Sequence, residues 1–200
     1  MATYLEIAAA RKRGLNWDGI RDVPMDGCMV YDMTNLPMKG VQDNTYDGVY
    51  SEHFIEHLHK YQGINFLKEC LRVMKPGGTV RTCWPPYDII KRLTSNEDLS
   101  TDEFVQHYYN FYVQKHKFAP PGNEHRSMQE QVALGLLHQS GEHKYLWGKQ
   151  ELIDTLGGLG FVNVKECSYN KSSILDFNGI ETPGRIRMLH SVIVEACKPC

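Results

Sequence analysis

Short apolar runs alternate along the chain with segments whose apolar residues recur every three or four positions. Runs of this length that end in polar or turn residues are typical of buried strands, whereas the spacing of three and four places apolar side chains on one face of a helix. The predicted strands are residues 3–7, 17–20, 27–31, 46–50, 79–84, 161–167 and 191–196. Predicted helices cover residues 61–74, about 101–117, and 149–160.

This alternation predicts an α/β fold with a doubly wound, mostly parallel sheet of seven strands. We also expect the last strand to be antiparallel, as in the family whose resemblance is described below. Pro76-Gly77-Gly78 ends the first helix, and Pro85-Pro86 stops the fifth strand because proline cannot donate to the ladder. We expect residues 1–200 to form a single domain, since 200 residues suffice for one core and are few for two.

Residues 87–148 interrupt the alternation with a polar, histidine-rich and aromatic-rich stretch. Because the first strand begins near residue 3, we expect this insertion to cover the cleft and to supply most contacts with a substrate. Its aromatic residues are too dense to share one helix face, so they either line a pocket or pack the helix on the sheet. Tyr109 and Tyr112 are the substrate-binding candidates among them.

Composition and charge narrow the possible partners. Lysine and arginine number 22 against 24 aspartate and glutamate, and a net charge of −2 gives no field that would attract nucleic acid. No apolar run is long enough for a membrane span, and the N-terminal residues lack an export signal. The six cysteines are scattered, and Cys197-Lys198-Pro199-Cys200 has no second pair to complete a metal site. We therefore expect a cytoplasmic protein that binds neither nucleic acid nor membrane.

Ligands of an open parallel sheet bind beyond the carboxyl ends of its strands, so the residues at those ends are the candidates for chemistry. The first strand ends at Glu6 and the run Ala8-Ala9-Ala10, and the second at Arg21 or Asp22. Polar or turn-forming residues also follow the third and fourth strands. They are Asp32, Met33, Ser51, Glu52 and His53.

Five motifs in order along the chain resemble the compact class I methyltransferases, which have a Rossmann-like fold and use S-adenosylmethionine. The motifs are "YDMTNLP", "NTYDGVYSEHFIEHL", "FLKECLRVMKPGGTVRTCWPP", "GEHKYLWGKQELIDTLGGLGFVNVKE" and "HSVIVEA". The chain is most similar to the group associated with gene clusters for cell-surface glycans. The resemblance implies S-adenosylmethionine as cofactor and a small-molecule or glycan-precursor acceptor.

The resemblance also implies roles for individual residues. Asp32 would accept from the adenine amino group, and the backbone N–H of Met33 would face the ring. Asp22, or Arg21 in its place, would hold the ribose. The methionine end would lie against the first and fourth strands. The residues implied there are Glu6, Ala8, Ala10, Tyr50, Ser51 and Glu52.

The chain departs from the family at the loop after its first strand. Ala8 and Ala10 of "LEIAAARKRG" stand where the family has glycines, which permit a positive φ and close approach to the cofactor. Alanine in a left-handed conformation costs about 1–2 kcal/mol. For Asp32, a simpler interpretation is a turn or capping aspartate before Thr34-Asn35.

His53 is the predicted general base, because it follows the fourth strand and faces the cleft in the resemblance. His143 and Tyr145, in "GEHKYLW", are further substrate-binding candidates. His53, Glu56 and His57 also match the H-x-x-E-H pattern of some zinc proteases. A short motif at a strand-to-helix turn is weak evidence for zinc, so we expect no metal and give Glu56 and His57 packing or capping roles.

Three functions from different classes remain. The first is S-adenosylmethionine-dependent methyl transfer to a hydroxyl or similar nucleophile. The second is a degenerate member of the fold that serves as a binding or partner protein, which the alanines of the glycine loop favour. The third, an NAD-dependent oxidoreductase, is disfavoured because G-x-G-x-x-G is absent.

Overall fold

The computed structural model describes residues 2–8, 14–182 and 191–200. Within these ranges the chain forms seven strands and five α-helices. The strands are β1 (Tyr4–Ile7), β2 (Trp17–Arg21), β3 (Cys28–Val30), β4 (Tyr46–Glu52), β5 (Met74–Trp84), β6 (Val162–Cys167) and β7 (Val192–Cys197). The helices are α1 (Lys60–Val73), α2 (Asp88–Leu93), α3 (Glu103–Tyr108), α4 (Met128–His138) and α5 (Lys149–Gly158).

All seven strands join one sheet in the order β3-β2-β1-β4-β5-β7-β6. Strands β1 to β5 pair in parallel with one another, whereas β7 runs antiparallel to both β5 and β6. The predicted seven-stranded sheet with an antiparallel last strand is therefore confirmed. Strand order reverses between β1 and β4, which is where an open sheet of this kind opens a crevice for ligands.

One face of the sheet is covered by α1 and α5. Alternate strand residues such as Leu5 and Val49 share a buried cluster with Phe66 of α1 and Leu152 of α5. Trp147, fully buried just before α5, packs into the same cluster and approaches the backbone of Gly63 in α1. These contacts fix α1, and hence the turn that precedes it, against the carboxyl end of β4.

The opposite face is covered by the connection between β6 and β7. Phe177 of this connection packs against Tyr4 and Tyr50, and all three are buried. Beside them, buried Arg81 of β5 donates from Nε to Glu181 (2.5 Å) and from Nη1 to Glu195 of β7 (2.8 Å). Charged groups this deeply buried are retained only when they are paired, so the three side chains tie the connection to the sheet.

The insertion 87–148 has its own small core, which includes Leu93 of α2, Val105 of α3 and Val132 of α4. The single helix expected near 101–117 is α3 followed by a π-helical segment, Tyr109–Lys115. The helices α2 and α4 were not predicted. They have six and eleven residues and bury their apolar side chains in the insertion's own core, which is a tertiary arrangement with a weak local signal.

Candidate functional site

A cleft of about 610 Å³ lies at the carboxyl ends of β1, β2 and β4, beside the point where strand order reverses. A volume of this size is typical of small-molecule sites. Residues from the ends of the four strands β1 to β4, from the turn before α1 and from the end of the insertion form its walls. The lining includes Ala8, Arg21, Asp22, Asp32, Met33, His53, His57, Ser140, Gly141, Glu142 and Lys144.

The glycine-loop prediction concerns Ala8 and Ala10. Ala8 lines the cleft with a φ of +57°, the left-handed conformation that glycine adopts without cost. The loop after β1 therefore takes the backbone conformation expected of the family's glycine, although an alanine occupies the position. Ala10 lies outside the described residues.

The predicted cofactor residues after β2 and β3 come together in the cleft. Asp22, Asp32 and Met33 all line it, as does Arg21, the alternative to Asp22. Asp32 also forms the turn with Thr34 that the simpler interpretation of this residue predicts. Its Oδ1 accepts from the backbone N–H (2.8 Å) and hydroxyl (2.7 Å) of Thr34. These hydrogen bonds lower the pKa of Asp32 and keep its exposed carboxylate ionised.

Four of the residues implied for the cofactor do not line the cleft: Glu6, Tyr50, Ser51 and Glu52. Tyr50 is buried in the cluster with Phe177. Glu6 is 4% exposed within β1. Ser51 is buried and donates its hydroxyl to Thr82 Oγ1 at 3.0 Å. Glu52 accepts from the backbone N–H (3.1 Å) and the hydroxyl (2.6 Å) of Thr182, so its carboxylate anchors the β6–β7 connection to the end of β4.

His53 occupies the turn at the end of β4 with a φ of +48°. Its backbone N–H donates to the carbonyl of Cys83 (2.8 Å), which extends the β4–β5 ladder into the turn. Its ring lines the cleft, with Nδ1 3.2 Å from Glu56 Oε1 and Nε2 2.9 Å from Ser191 Oγ. A carboxylate beside one imidazole nitrogen orients the ring.

Glu56 is fully buried behind His53 and next to His57 and His143. The rings of His57 and His143 meet edge to face with centroids 5.0 Å apart. Burial alone would raise the pKa of Glu56, but the contact with His53 and the two other imidazoles outweigh it and hold the pKa below its usual value. Burial lowers the pKa of His143, which favours its neutral ring.

The predicted substrate residues of the insertion are divided. His143 belongs to the cluster with Glu56 and His57, of which His57 lines the cleft. Tyr109 and Tyr112 pack instead against the insertion's own core. Tyr145 donates its hydroxyl to Glu151 Oε1 (2.6 Å) and packs edge to face on Trp147. These three tyrosines are not among the residues that line the cleft.

Sequence reasoning did not identify two parts of this region. It gave Glu56 and His57 packing or capping roles, and His57 also lines the cleft. It expected the insertion to cover the cleft but did not single out residues 140–142 and 144 as the part that lines it, because their position depends on two backbone hydrogen bonds. Lys144 and Tyr145 donate their N–H groups to the carbonyl of Glu56, at 2.8 and 3.2 Å.

Comparison with known proteins agrees with this geometry. Residues 4–82 match the family model described as a methyltransferase domain. A SAM-dependent methyltransferase from Archaeoglobus fulgidus superposes with a TM-score of 0.54 at 17% identity, over 98% of this chain and 86% of that one. No match is found among curated protein sequences.

Two further solved structures share the fold. The 1,6-didemethyltoxoflavin-N1-methyltransferase of Burkholderia thailandensis, bound to its substrate and S-adenosylhomocysteine, has a TM-score of 0.54 at 11% identity, over 100% of this chain and 72% of that one. A chain from the complex between the Haloferax volcanii Trm112 methyltransferase activator and a methyltransferase has a TM-score of 0.52 at 15% identity, over 100% of this chain and 82% of that one.

No helix in the described ranges has the length and apolar composition that a bilayer span requires. The described elements form one seven-stranded sheet with a cleft at the carboxyl ends of its parallel strands. Together with the solved structures above, they show that the chain has the Rossmann-like fold of S-adenosylmethionine-dependent methyltransferases, and residues 4–82 match the methyltransferase-domain model.

Proposed function

We propose that this protein is an S-adenosylmethionine-dependent methyltransferase that acts on a small-molecule or sugar-like acceptor. The observation that carries the proposal is the cleft at the ends of β1, β2 and β4. It brings together Ala8, Asp22 and Asp32, three side chains from separate strand ends that the resemblance assigns to the cofactor.

The residues present fit this cofactor. Each carboxylate oxygen has two lone pairs, so Asp32 can bind its local turn and still accept from an adenine amino group. Asp22 offers acceptors for the ribose hydroxyls at the end of the neighbouring strand. The positive φ of Ala8 gives the loop the backbone shape that a glycine would give it.

The cofactor, when bound, supplies an activated methyl group on a sulfonium. The chain's own residues then have three tasks, which are to hold donor and acceptor in line, to exclude water and to take up one proton. His53 is the proposed base, because its ring lines the cleft while Glu56 lies beside Nδ1 and stabilises the imidazolium that forms.

The insertion would act on the acceptor side. Residues 140–144 form part of the cleft wall and are held there by the hydrogen bonds to the carbonyl of Glu56. We propose that the insertion 87–148 covers the cleft through this end, while its aromatic segment stabilises the insertion itself.

Calorimetric titration with S-adenosylmethionine and S-adenosylhomocysteine tests the proposal. Both ligands are expected to bind with one site per chain, and Asp32→Ala is expected to weaken binding about tenfold, the loss of one hydrogen bond to a charged group. Asp98→Ala is a matched control, because Asp98 accepts from Ser100 in a similar turn of the insertion. If neither ligand binds at millimolar concentration, the protein is a non-catalytic member of this fold.

The role of His53 requires an acceptor screen with methyl-labelled S-adenosylmethionine. Once an acceptor is found, His53→Ala should bind S-adenosylhomocysteine within a few-fold of the wild type and lose about 100-fold or more in methyl transfer, the usual contribution of a general base. Unchanged transfer by this variant would remove His53 from the mechanism.

A further inference from the structure

The carboxylate of Glu56 is buried with one ion-pair contact among the residues that the structure describes. The side chain is 0% exposed, His53 Nδ1 lies 3.2 Å from Oε1, and Oε2 has no hydrogen-bond partner in the described part of the chain. Buried carboxylates are normally paired and fully hydrogen-bonded or coordinate a metal, because a buried charge loses its hydration. The single contact with His53 leaves Oε2 able to bind a further cationic ligand.

His143 also has a buried polar atom without a hydrogen-bond partner among the described residues. Its Nδ1 is hydrogen-bonded to the carbonyl oxygen of Leu136, and since a carbonyl only accepts, Nδ1 must carry the proton. In the neutral ring Nε2 then carries a lone pair, and this atom is buried without a hydrogen-bond partner among the described residues. Metal-binding histidines are held in this way, with one nitrogen donating to a carbonyl and the other free to coordinate.

Glu56 and His143 lie close to a third possible ligand, His57. The ligand atoms of Glu56, His57 and His143 lie within 4.8 Å of one another. Ligand atoms bound to a tetrahedral ion with bonds near 2.0–2.1 Å are about 3.3 Å apart. Side-chain rotations that move the ligand atoms by up to ~1.5 Å would therefore bring all three within coordination distance of one ion. The hydrogen bonds from Lys144 and Tyr145 to the carbonyl of Glu56 already fix the two chain segments against each other.

We propose that Glu56, His57 and His143 bind one divalent transition-metal ion of the Zn²⁺ type. Imidazole nitrogens select such ions, and two histidines with one carboxylate are a frequent ligand set of catalytic zinc. The proposal reverses the expectation of no metal, which was based on the local H-x-x-E-H motif and its surroundings in sequence. The added ligand, His143, comes from the far end of the insertion and cannot be identified from the local motif.

Three protein ligands leave a coordination position open. His57 also lines the cleft, so this position is within reach of a ligand there. If the proposed methyl transfer is correct, an acceptor hydroxyl bound to the ion beside His53 would lose its proton more readily, since a metal lowers the pKa of a bound hydroxyl. The binding of the ion itself does not depend on that function.

The test uses the full chain after treatment with a chelator and in the absence of S-adenosylmethionine, so that the metal site and the methyl-transfer proposal fail separately. Calorimetry with Zn²⁺ is expected to show one ion per chain with micromolar or tighter affinity. Co²⁺ is expected to give a visible absorption spectrum typical of nitrogen and oxygen ligands at low coordination number.

Variants identify the ligands. His143→Ala, His57→Ala and the isosteric Glu56→Gln should each weaken Zn²⁺ binding about 100-fold or more, given that even outer partners of a metal site contribute 10–100-fold. His138→Ala is the matched control, because His138 is exposed at the end of α4 and lies outside the cluster. Circular dichroism confirms that each variant is folded.

Two results would overturn the proposal. One is a wild-type protein that binds no ion under these conditions or shows only the spectrum of hydrated Co²⁺. The other is stoichiometric binding that persists in folded His143→Ala and His57→Ala, which would place the ion on surface histidines.

Discussion

Three non-glycine residues that line the cleft adopt a left-handed backbone conformation that their side chains disfavour; Ser140 is one, and the other two, Ala8 and His53, follow strands of the sheet. Ala8 (φ +57°) follows β1 and His53 (φ +48°) lies just beyond β4, and these two strands are adjacent and parallel. A residue other than glycine costs about 1–3 kcal/mol in this region and persists only where the surrounding structure imposes it. Both of these strand-end residues lie where the cofactor and acceptor would meet, which is consistent with a functional constraint.

Ala8→Gly should relieve this strain. The gain of about 1–2 kcal/mol in the left-handed conformation is reduced by about 0.5–1 kcal/mol for the greater freedom of glycine in the unfolded chain. We expect a net stabilisation of up to about 1 kcal/mol by chemical denaturation, together with tighter binding of S-adenosylhomocysteine.

Lys117→Gly provides the control for Ala8→Gly. Lys117 has a φ of +56° in the insertion and does not line the cleft. It should give a similar gain in stability with no change in S-adenosylhomocysteine affinity. Weaker cofactor binding by Ala8→Gly would show that the alanine methyl group, and not the backbone shape, serves the site.

At the scale of the element, β4 is central because it pairs with β1 and β5 and carries the turn that holds His53. Gly48 within β4 is required by close packing. A Cβ there would lie 2.8 Å from the ring of Phe177 and 2.9 Å from the carbonyl oxygen of Thr79. The second contact is with backbone, which cannot move without displacing β5.

Gly48→Ala is therefore expected to destabilise the fold by about 1–3 kcal/mol, the usual effect of overpacking a core. Thermal or denaturant unfolding measures the loss. Gly157→Ala is the matched control, since a Cβ at that position in α5 meets nothing within 4 Å and alanine favours helix by up to about 1 kcal/mol. Equal stability of the two variants would contradict the packing described for β4.

The elements show why the sheet could be predicted and the insertion could not. Strands such as β4 and β7 have a local signal, because they are apolar runs bounded by polar or turn residues. The helices α2 and α4 bury their apolar residues against each other, which is a tertiary arrangement with a weak local signal. The last unpredicted feature, the π-helical segment Tyr109–Lys115, has no sequence pattern that distinguishes it from an α-helix.

The candidate site, too, could be predicted from the sequence only in part. The rule that ligands bind at strand ends found Ala8, Asp22, Asp32 and His53, because each immediately follows or ends a recognisable strand. It could not tell which strand-end side chains turn toward other partners, as Glu52 does toward Thr182. It also could not pair Glu56 with His143, since that contact depends on how the insertion returns to the sheet.

At the scale of the whole molecule, the ion triad of Arg81, Glu181 and Glu195 joins the sheet to the connection that covers its second face. Burial would raise the pKa of Glu195, but the hydrogen bonds from Ser172 and Arg81 outweigh it and hold the pKa below its usual value of 4.5. A carboxylate whose pKa is lower in the folded state stabilises the fold above the unfolded-state pKa. That contribution is lost as the pH falls through the folded-state pKa.

Glu195→Gln should accordingly lower the free energy of unfolding at pH 7 by roughly 1.5–3 kcal/mol, the contribution of a hydrogen bond to a charged group. Below pH 4.5 the difference from the wild type should shrink, so the variant loses less stability on acidification. Glu166→Gln is the control, because its ion pair with Lys149 is half exposed and contributes little. A pH-independent difference between Glu195→Gln and the wild type would contradict the paired state of Glu195.

Two regions of the molecule supply the side chains in and around the cleft. Strand ends of the sheet supply the proposed cofactor residues, while the returning end of the insertion supplies His143 and the wall at residues 140–144. The near-neutral net charge of −2 is compatible with a small acceptor that is selected by the cleft itself.

The most direct measurement is a crystal structure of the protein grown with S-adenosylhomocysteine. We predict electron density in the cleft at the ends of β1, β2 and β4, with the adenine beside Asp32 and Met33, the ribose near Asp22 and the amino-acid end toward Ala8. Ligand density elsewhere on the molecule, or an empty cleft at a saturating concentration of the ligand, would contradict the proposed function.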